Sequence, residues 1–322
     1  MSIERSVMSV LPAGLACVVV TMIGLCVPAP ARAQMVEEYT PPRANCCLLN
    51  TARSLADQLQ DWNQLGRYHQ ANEQLAQQPV TPGRVVFMGD SITDFWNLPE
   101  FFPGKPYVNR GIGGQVTAQM LVRMYPDVIS LKPAAMVLLA GTNDIARNNG
   151  PVTLRMIEED IMAMTELAQL HGIKVLLSSV TPVSDYPYLR QQSAPPAPVV
   201  PGGRGAPPRQ QMTDGRPPSD ILKLNAWMKD YAATVNATYV DYFSAMVDDK
   251  GWLKDGISAD GLHPNAEGYQ IMAAVLATAL QKVAPVLATL DKLGIADVIE
   301  RTAKREESSQ TTAVVSANGM ER

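Results

Sequence analysis

Short apolar runs alternate with longer amphipathic segments through the middle of the chain. Four of these runs are predicted to be buried strands, since they are almost wholly apolar: Val85–Met88, Met136–Leu139, Val175–Ser179 and Tyr239–Tyr242. Apolar strands that alternate with helices are typical of a parallel sheet covered on both faces. The pattern therefore predicts an α/β fold, a three-layer α/β/α sandwich with a central parallel sheet.

Apolar residues at three- and four-residue steps predict the helices between these strands. The predicted helices are Thr51–Ala76, Thr117–Ser130, Leu154–Leu170, Ile221–Val235 and Ala266–Val283. The active site of such a sheet lies at the carboxyl ends of its strands. The residues directly after each apolar run are therefore the first candidates for chemistry.

The chain is predicted to divide into four parts. Residues 1–33 are a signal peptide, and residues 34–79 are a polar leader with an N-terminal helix. Residues 80–286 form the α/β domain, and residues 287–322 are a C-terminal helix and tail, disordered in part. Within the domain, residues 186–219 are rich in Pro, Gly, Gln and Arg, which predicts a long insert with little fixed structure.

The N-terminal pattern indicates export. A polar lead precedes the apolar stretch Leu15–Val27, and Ala31–Ala33 supplies small residues at a signal-peptidase site, so cleavage is expected before Gln34. An uncleaved anchor is the alternative, because residues 6–31 carry no charge, but Pro12 and Gly14 interrupt that stretch. We expect a secreted or periplasmic protein without stable membrane insertion after cleavage.

Composition narrows the function classes. The chain of 322 residues is 46% hydrophobic and 18% charged with a net charge of −4, as in an ordinary soluble globular protein. It lacks the basic character of a nucleic-acid-binding protein. Cys17 and Cys26 fall in the signal, and the residues before Cys26 match a lipoprotein site poorly. Cys46 and Cys47 are adjacent and are interpreted as non-catalytic.

The first chemical motif directly follows the first apolar run. Gly89-Asp90-Ser91 would place a serine hydroxyl at the active-site edge of the sheet, near the start of a helix. Thr93 stands where the nucleophile elbow of α/β-hydrolases has its second glycine, so that motif is excluded. Taken alone, the segment favours the alternative of a tight turn with a helix-capping serine.

Two further segments could supply hydrogen-bond donors. Asn109–Gly114 contains three glycines that permit close backbone approach, whereas a dinucleotide-binding motif would need a glycine in place of Val116. Asn143 follows another apolar run, and its amide could donate to an oxyanion. A turn or a helix cap is the alternative at both positions.

The last motif pairs an acid with a histidine. Of the three histidines, His263 alone lies on a predicted loop beside an acid, Asp260, three residues earlier. A carboxylate at that spacing can accept from the imidazole Nδ1–H and leave Nε2 free to accept a proton from a serine. A metal site is disfavoured, because zinc needs three or four ligands and no second histidine accompanies this pair.

These four segments, in this order over residues 80–286, resemble the conserved blocks of SGNH hydrolases, the GDSL-like esterases and lipases. The resemblance implies a flavodoxin-like fold and an acyl-serine mechanism without cofactor. It implies Ser91, Asp260 and His263 as the catalytic triad, and Ser91, Gly114 and Asn143 as the oxyanion hole. The long insert departs from the compact family pattern.

The resemblance and the export signal predict a secreted esterase for short-chain acyl esters, with a small-molecule or glycan ester such as an O-acetyl glycan as substrate. A lysophospholipase-type lipid esterase, an O-acetyltransferase and an inactive carbohydrate-binding relative remain alternatives. Candidate substrate-binding residues are Asp90, Phe95, Trp96 and Asp185. Packing of Phe95 and Trp96 in the core is the alternative for that pair.

Overall fold

The computed structural model describes residue 56, residues 59–194 and residues 211–292, with side chains of the last helix described up to Val283. Within these residues the core is a five-stranded parallel sheet with strand order β2-β1-β3-β4-β5. The strands are β1 (Val85–Gly89), β2 (Tyr107–Gly111), β3 (Ala135–Leu139), β4 (Lys174–Ser178) and β5 (Thr238–Val240). Helices flank the sheet, and the predicted three-layer sandwich is confirmed.

The helices follow the strands in the order that the sequence predicts, with several additional short turns. They are α1 (His69–Ala76), α2 (Ser91–Asp94), α3 (Leu98–Phe101), α4 (Thr117–Val122), α5 (Met124–Asp127), α6 (Thr142–Ile145), α7 (Leu154–Leu170), α8 (Tyr186–Ser193), α9 (Met212–Gly215), α10 (Pro218–Thr234), α11 (Tyr242–Met246) and α12 (Ala266–Lys292). Short 3₁₀ turns occupy Leu65–Arg67 and Ile129–Leu131. Helix α7 has the predicted bounds.

The order in which the strands are added to the sheet reverses at β1. Strand β1 pairs with β2 on one side and with β3 on the other, and Gly89 is in register with both Gly111 and Leu139. The carboxyl ends of these three strands therefore meet at one edge, where open parallel sheets bind their ligands. The segments after β1, β2 and β3 are those that carry Ser91, Gly114 and Asn143.

Strand β2 is absent from the sequence prediction. It pairs on one side only, and three of its five residues are half-buried. Asn109 and Arg110 give it a polar pattern because both side chains bind within the fold rather than pack in an apolar core. The hydrophobic pattern predicts the central strands β1, β3 and β4, but it does not identify this polar edge.

The predicted helix Thr51–Ala76 is wrong over its middle part. Helix α1 begins only at His69, and the Asp61 carboxylate accepts from the backbone N–H groups of Leu65 at 2.8 Å and Gly66 at 2.9 Å. Gln64 adopts a left-handed conformation with φ of 56°. An aspartate that binds nearby backbone N–H groups competes with helix formation, and here the turn prevails.

Three other boundaries differ from the prediction. Pro126 lies within Thr117–Ser130, and this segment forms α4, α5 and a 3₁₀ turn. Strand β5 ends at Val240, because Asp241 caps α11 by accepting from the Ser244 N–H at 3.0 Å. Helix α12 continues to Lys292, past the predicted helix end at Val283.

The insert at residues 186–219 is more ordered at its two ends than expected. Helix α8 forms the first end, and α9 with the first turn of α10 forms the second. Residues 195–210 lie outside the described residues, as do the signal peptide, Cys46, Cys47 and the tail after residue 292. Among the described helices, none combines the length and the apolar character needed to span a bilayer.

Candidate active site

Ser91 is the first residue of α2, directly beyond the end of β1. The Asp90 side chain caps this helix by accepting from the Ile92 N–H at 2.9 Å. Ser91 is buried except for 7% of its surface, and its Oγ lies 2.9 Å from Nε2 of His263, a residue 172 positions further along the chain. The strand end, the cap and the one-turn helix together aim the hydroxyl at the imidazole.

Gly89 permits α2 to fold back against the sheet. A Cβ atom at this position would lie 2.1 Å from Thr93 Oγ1 and 2.8 Å from the backbone oxygen of Leu139. Both separations are shorter than van der Waals contact, so any larger residue would displace α2 or β3. The glycine of the Gly-Asp-Ser motif is therefore explained by close approach.

Asp260 holds the imidazole of His263 from the opposite side. The Asp260 Oδ2 atom lies 2.6 Å from His263 Nδ1, and Oδ1 accepts from the backbone N–H groups of Leu262 and His263, each at 2.9 Å. The Ser258 hydroxyl adds a hydrogen bond to Oδ1 at 3.1 Å. Because the carboxylate can only accept, Nδ1 carries the imidazole proton and Nε2 faces Ser91 as an acceptor.

The hydrogen bonds around Asp260 keep its carboxylate ionised. Burial alone would raise the pKa of Asp260, but the hydrogen bonds from the His263 ring and from two backbone N–H groups outweigh it. The pKa of this carboxyl is therefore held well below its usual range. A permanently charged Asp260 stabilises the imidazolium that forms when His263 accepts a proton.

Asn109 fixes the glycine-rich segment against α2. Its Nδ2 donates to the backbone oxygens of Thr93 at 2.6 Å and Trp96 at 3.1 Å, and its Oδ1 accepts from the Gly111 N–H at 2.8 Å. This one side chain closes the end of α2 and aligns the end of β2 with it. The segment that follows β2 is therefore held beside Ser91.

The glycine-rich segment approaches the serine closely. A Cβ atom on Gly113 would lie 3.7 Å from Cβ of Ser91, and the Gly113 N–H donates to Asp94 Oδ2 at 3.1 Å. Gly114 has φ of +80°, a conformation that favours glycine. In the part of the chain that the structure describes, the backbone N–H groups of Ser91 and Gly114 form no hydrogen bond.

Asn143, at the start of α6, is buried and fixed in one orientation. Its Nδ2 donates to the backbone oxygen of Gln115 at 3.0 Å, and its Oδ1 accepts from Asn148 Nδ2 at 3.0 Å and from Arg216 Nη2 at 3.2 Å. The amide plane is therefore determined from both ends. Since Nδ2 carries two hydrogens and Gln115 takes one, the second is left for another acceptor.

Asp144, the residue after Asn143, binds the start of α4, which follows the glycine-rich segment. Its carboxylate accepts from the Thr117 N–H at 3.0 Å and from the Thr117 hydroxyl at 2.7 Å, at the start of α4. Burial raises the pKa of Asp144, and the hydrogen bonds from Thr117 oppose that rise. The segments after β2 and β3 are thus tied together, and Ser91, Gly114 and Asn143 occupy one edge of the sheet.

Comparison with known proteins bears on this arrangement. The family model of the GDSL-like lipase/acylhydrolase family matches residues 87–271, which include Ser91, Gly114, Asn143, Asp260 and His263. The chain belongs to this family. The GDSL-like core thus extends from β1 into α12 and contains the insert.

Two solved structures support the assignment of this GDSL-like chain. A protein assigned as an acylhydrolase from Bacteroides fragilis is 38% identical, with a TM-score of 0.58, and the match covers 69% of this chain and 98% of that one. A GDSL-like lipase from Bacteroides thetaiotaomicron is 36% identical, with a TM-score of 0.57 and the same coverage. Both agree with the fold described above, and the family membership indicates a hydrolase.

A curated relative matches a shorter stretch of the GDSL-like chain. The uncharacterized lipoprotein YqeF of Bacillus subtilis (strain 168) is 31% identical over 118 residues, covering 31% of this chain and 49% of YqeF. The chain thus spans about half the length of that relative. The match supports kinship, and it assigns no substrate.

Of the four residues expected to bind substrate in this GDSL-like protein, Phe95 alone is exposed. It presents 60% of its surface, and its ring centroid lies 5.3 Å from that of the His263 imidazole. The expectation for Trp96 is wrong, since this side chain is only 2% exposed and stacks on Tyr269 in the core at 5.4 Å. Core packing, the alternative reading, applies to Trp96 and not to Phe95.

The two acidic candidates are buried as well. Asp90 is 1% exposed and faces inward as the cap of α2, and burial raises its pKa to about 7. Asp185 is 2% exposed and accepts from the backbone N–H groups of Met212 at 2.7 Å and Thr213 at 3.1 Å. Neither carboxylate is available to a substrate, so both expectations are corrected.

The structure adds site residues that the motifs do not contain. Asn148 and Arg216 both donate to Asn143, and Ser258 donates to Asp260. Asn148 and Ser258 each lie within five residues of a motif residue, so sequence proximity could have suggested them. Arg216 lies in the Pro-rich insert, 73 residues from Asn143, and carries no recognisable signal.

Proposed function

We propose that this GDSL-like chain is a serine ester hydrolase that transfers an acyl group to water through an acyl-serine intermediate. The observation that carries the proposal is the continuous hydrogen-bonded series from Ser91 Oγ to His263 Nε2 at 2.9 Å and from His263 Nδ1 to Asp260 Oδ2 at 2.6 Å. This series supplies a nucleophile, a base and an orienting carboxylate in the order that acyl transfer needs.

The reaction has two stages. His263 Nε2 takes the hydroxyl proton as Ser91 Oγ bonds to the ester carbonyl carbon, and the imidazolium returns that proton to the leaving alcohol as the C–O bond breaks. A water molecule then gives a proton to Nε2 and attacks the acyl-serine carbonyl. The same proton goes back to Ser91 as the acid is released. General base catalysis of this kind contributes about 10²- to 10⁴-fold in rate.

The oxyanion of each tetrahedral intermediate is held by three donors in this proposal. They are the N–H groups of Ser91 and Gly114 and the second Nδ2 hydrogen of Asn143. Support comes from the two backbone N–H groups, which form no hydrogen bond among the described residues, and from the fixed amide plane of Asn143. Donors fixed before the reaction need no reorganisation as the negative charge develops.

The proposed substrates are short-chain acyl esters, including O-acetyl groups on a glycan. Phe95 provides one exposed ring beside His263, and a cavity of about 430 Å³ borders that ring on the side of Asp94 and Asn97. Ser91 and His263 do not line this cavity, so it would receive a part of the substrate beyond the reacting ester. An exposed aromatic ring also offers a flat surface for stacking of a sugar.

Export of the enzyme forms part of the proposal. The apolar stretch Leu15–Val27 and the small residues before Gln34 have the pattern of a signal peptide. The curated relative from Bacillus subtilis is named a lipoprotein, and such proteins are exported. A secreted or periplasmic location would bring the esterase to acetylated glycans outside the cytoplasm.

Hydrolysis of p-nitrophenyl esters of increasing chain length tests this function. The full chain is compared with Ser91→Ala and with Ser219→Ala, an exposed serine on α10 that serves as the matched control. We expect activity that peaks at acetate or butyrate, is unchanged in Ser219→Ala and is nearly abolished in Ser91→Ala. Hydrolysis by Ser91→Ala at the wild-type rate would exclude the proposed nucleophile.

The same assay separates the other functions. A peak at long acyl chains would favour a lipid esterase, and acyl transfer to an added sugar that exceeds hydrolysis would favour an O-acetyltransferase. A folded chain that binds acetylated glycans but turns over no ester would be an inactive binding protein. Each of these results contradicts the short-chain hydrolase.

A further inference from the structure

Arg216 reaches from the insert to the start of α6. Its Nε donates to Thr142 Oγ1 at 3.1 Å, and its Nη2 donates to Asn143 Oδ1 at 3.2 Å. Thr142 and Asn143 are adjacent, so one guanidinium donates hydrogen bonds to two neighbouring residues of the same turn. A flat, rigid guanidinium that makes two such bonds restricts the position of both acceptors.

The position of Arg216 is itself determined by a contact between the two ends of the insert. Asp185, just before α8, accepts from the backbone N–H groups of Met212 and Thr213 and from the Thr213 hydroxyl. The Arg216 N–H closes α9 by donating to the Met212 oxygen at 2.9 Å. This contact, which we call the Asp185–Thr213 clasp, delivers the guanidinium to Asn143.

The charge of Arg216 is directed at this amide. Within the described ranges, Arg216 forms no ion pair with a carboxylate inside 4 Å. Burial lowers the pKa of Arg216, and the carboxylates of Asp90 and Asp260 raise it in part. An arginine remains protonated at neutral pH even so.

A cation bound to an amide oxygen changes the amide nitrogen. It draws electron density toward Oδ1, which makes the hydrogens on Nδ2 more positive and strengthens the bonds that they donate. One Nδ2 hydrogen of Asn143 binds Gln115 O, and the other is free for an oxyanion. A protonated guanidinium at Oδ1 would therefore orient this donor and increase its strength.

We infer that Arg216 is a positioning residue for the oxyanion donor Asn143, so that the base of the insert contributes to acyl transfer. The inference rests on the proposed function, since it concerns the rate of that reaction. It assigns to the insert, which departs from the compact pattern of the family, a role in the chemical step.

The test compares the steady-state kinetics of Arg216→Gln and Arg216→Lys with those of wild type and Arg190→Ala. Arg190 lies at the other end of the insert, is exposed and pairs with Asp255, so it is the matched control. For Arg216→Gln we expect kcat to fall by about 10- to 100-fold while KM stays within about threefold. Lysine keeps the positive charge but lacks the two-pronged guanidinium, so kcat of Arg216→Lys should lie between the values of wild type and Arg216→Gln.

A double-mutant cycle asks whether Arg216 acts through Asn143. In an Asn143→Ala background, Arg216→Gln should lower kcat by less than about threefold further, because the group that it positions is gone. Fully independent effects on kcat would overturn the inference, as would an Arg216→Gln enzyme with the wild-type kcat.

Chemical rescue distinguishes the loss of the Arg216 guanidinium from poor folding of the variant. Guanidinium ion added to Arg216→Ala, well below denaturing concentrations, should restore part of kcat and leave Arg190→Ala unaffected. Thermal unfolding is followed for every variant, and a kcat that falls only in proportion to the folded fraction, without rescue, contradicts the inference. An inactive wild type would instead contradict the proposed function, so the two failures are distinguishable.

Discussion

The exposed ring of Phe95 lies against the imidazole of His263, with centroids 5.3 Å apart and planes inclined at 53°. Phe95 follows directly after α2, the helix that Ser91 begins, so the nucleophile and this ring are held by the same turn. The ring leaves 60% of its surface open beside the reacting atoms. Phe95 is therefore placed where it can contact a substrate.

Replacement of Phe95 by Ala should weaken binding of the acyl or alcohol group more than it slows the chemistry. Loss of one apolar contact surface is worth about 1.4 kcal/mol, which is about tenfold in kcat/KM for a butyrate ester. Acetate should change less, since it has less apolar surface. Kinetics on both esters check this, with Tyr125→Ala, an exposed aromatic on α5, as the control. An equal loss on both esters would contradict a substrate contact.

Replacement of Asp260 by Asn should lower kcat by about 10²- to 10⁴-fold. An amide N–H facing Nδ1 favours the imidazole tautomer with its proton on Nε2, and that nitrogen can then no longer accept from Ser91. The loss should be smaller than in Ser91→Ala or His263→Ala. Single-turnover and steady-state rates measure it, and Asp255→Asn, an exposed carboxylate, is the control. Unchanged kcat in Asp260→Asn would refute this role.

Asp90 should make folding stability depend on pH. Its pKa of about 7 lies above the ordinary value because the carboxyl is buried, so the folded protein holds a proton that the unfolded chain releases. This stabilisation is complete at low pH and is lost as the pH rises through about 7. Relative to Asp90→Asn, wild type should lose up to about 1.4 kcal/mol per pH unit between pH 4 and 7.

Urea unfolding of wild type and Asp90→Asn across pH 4 to 8 measures this difference. The exposed Asp230→Asn variant serves as the control and should follow the wild-type profile. Parallel profiles for wild type and Asp90→Asn would show that the Asp90 carboxyl titrates in the folded state as it does in the unfolded chain.

Replacement of Gly89 by Ala should destabilise the fold by about 1–3 kcal/mol, because the added methyl group overlaps Thr93 and the backbone of β3. Gly215 has open space around its Cβ position, so Gly215→Ala is the matched control. Denaturant unfolding gives both values. Equal stability of the two variants would show that the close approach at Gly89 relaxes at little cost.

The sequence predicts the central sheet and the Ser91–His263 pair for a common physical reason. The core strands are apolar on both faces, and the chemical residues follow directly after strands or just before a helix, where parallel sheets place their sites. The hydrogen bonds of Ser91, His263 and Asp260 with one another agree with that prediction.

The site residues that the sequence predicts wrongly or does not reveal have a different cause in common. Asp90 and Trp96 lie on either side of the one-turn helix that Ser91 begins, and both side chains face the core. The direction of a side chain next to so short a helix depends on tertiary packing. Arg216 was missed because its approach to Asn143 depends on the Asp185–Thr213 clasp, a contact that leaves no periodic pattern.

The clasp also bears on how relatives of this protein can diverge. Because Asp185 binds Met212 and Thr213 directly, the two residues that bracket the segment 186–211 are held side by side. Arg216 lies on the sheet side of the clasp, outside that segment. A change in the length of the bracketed segment that keeps the clasp would therefore leave the guanidinium at Asn143.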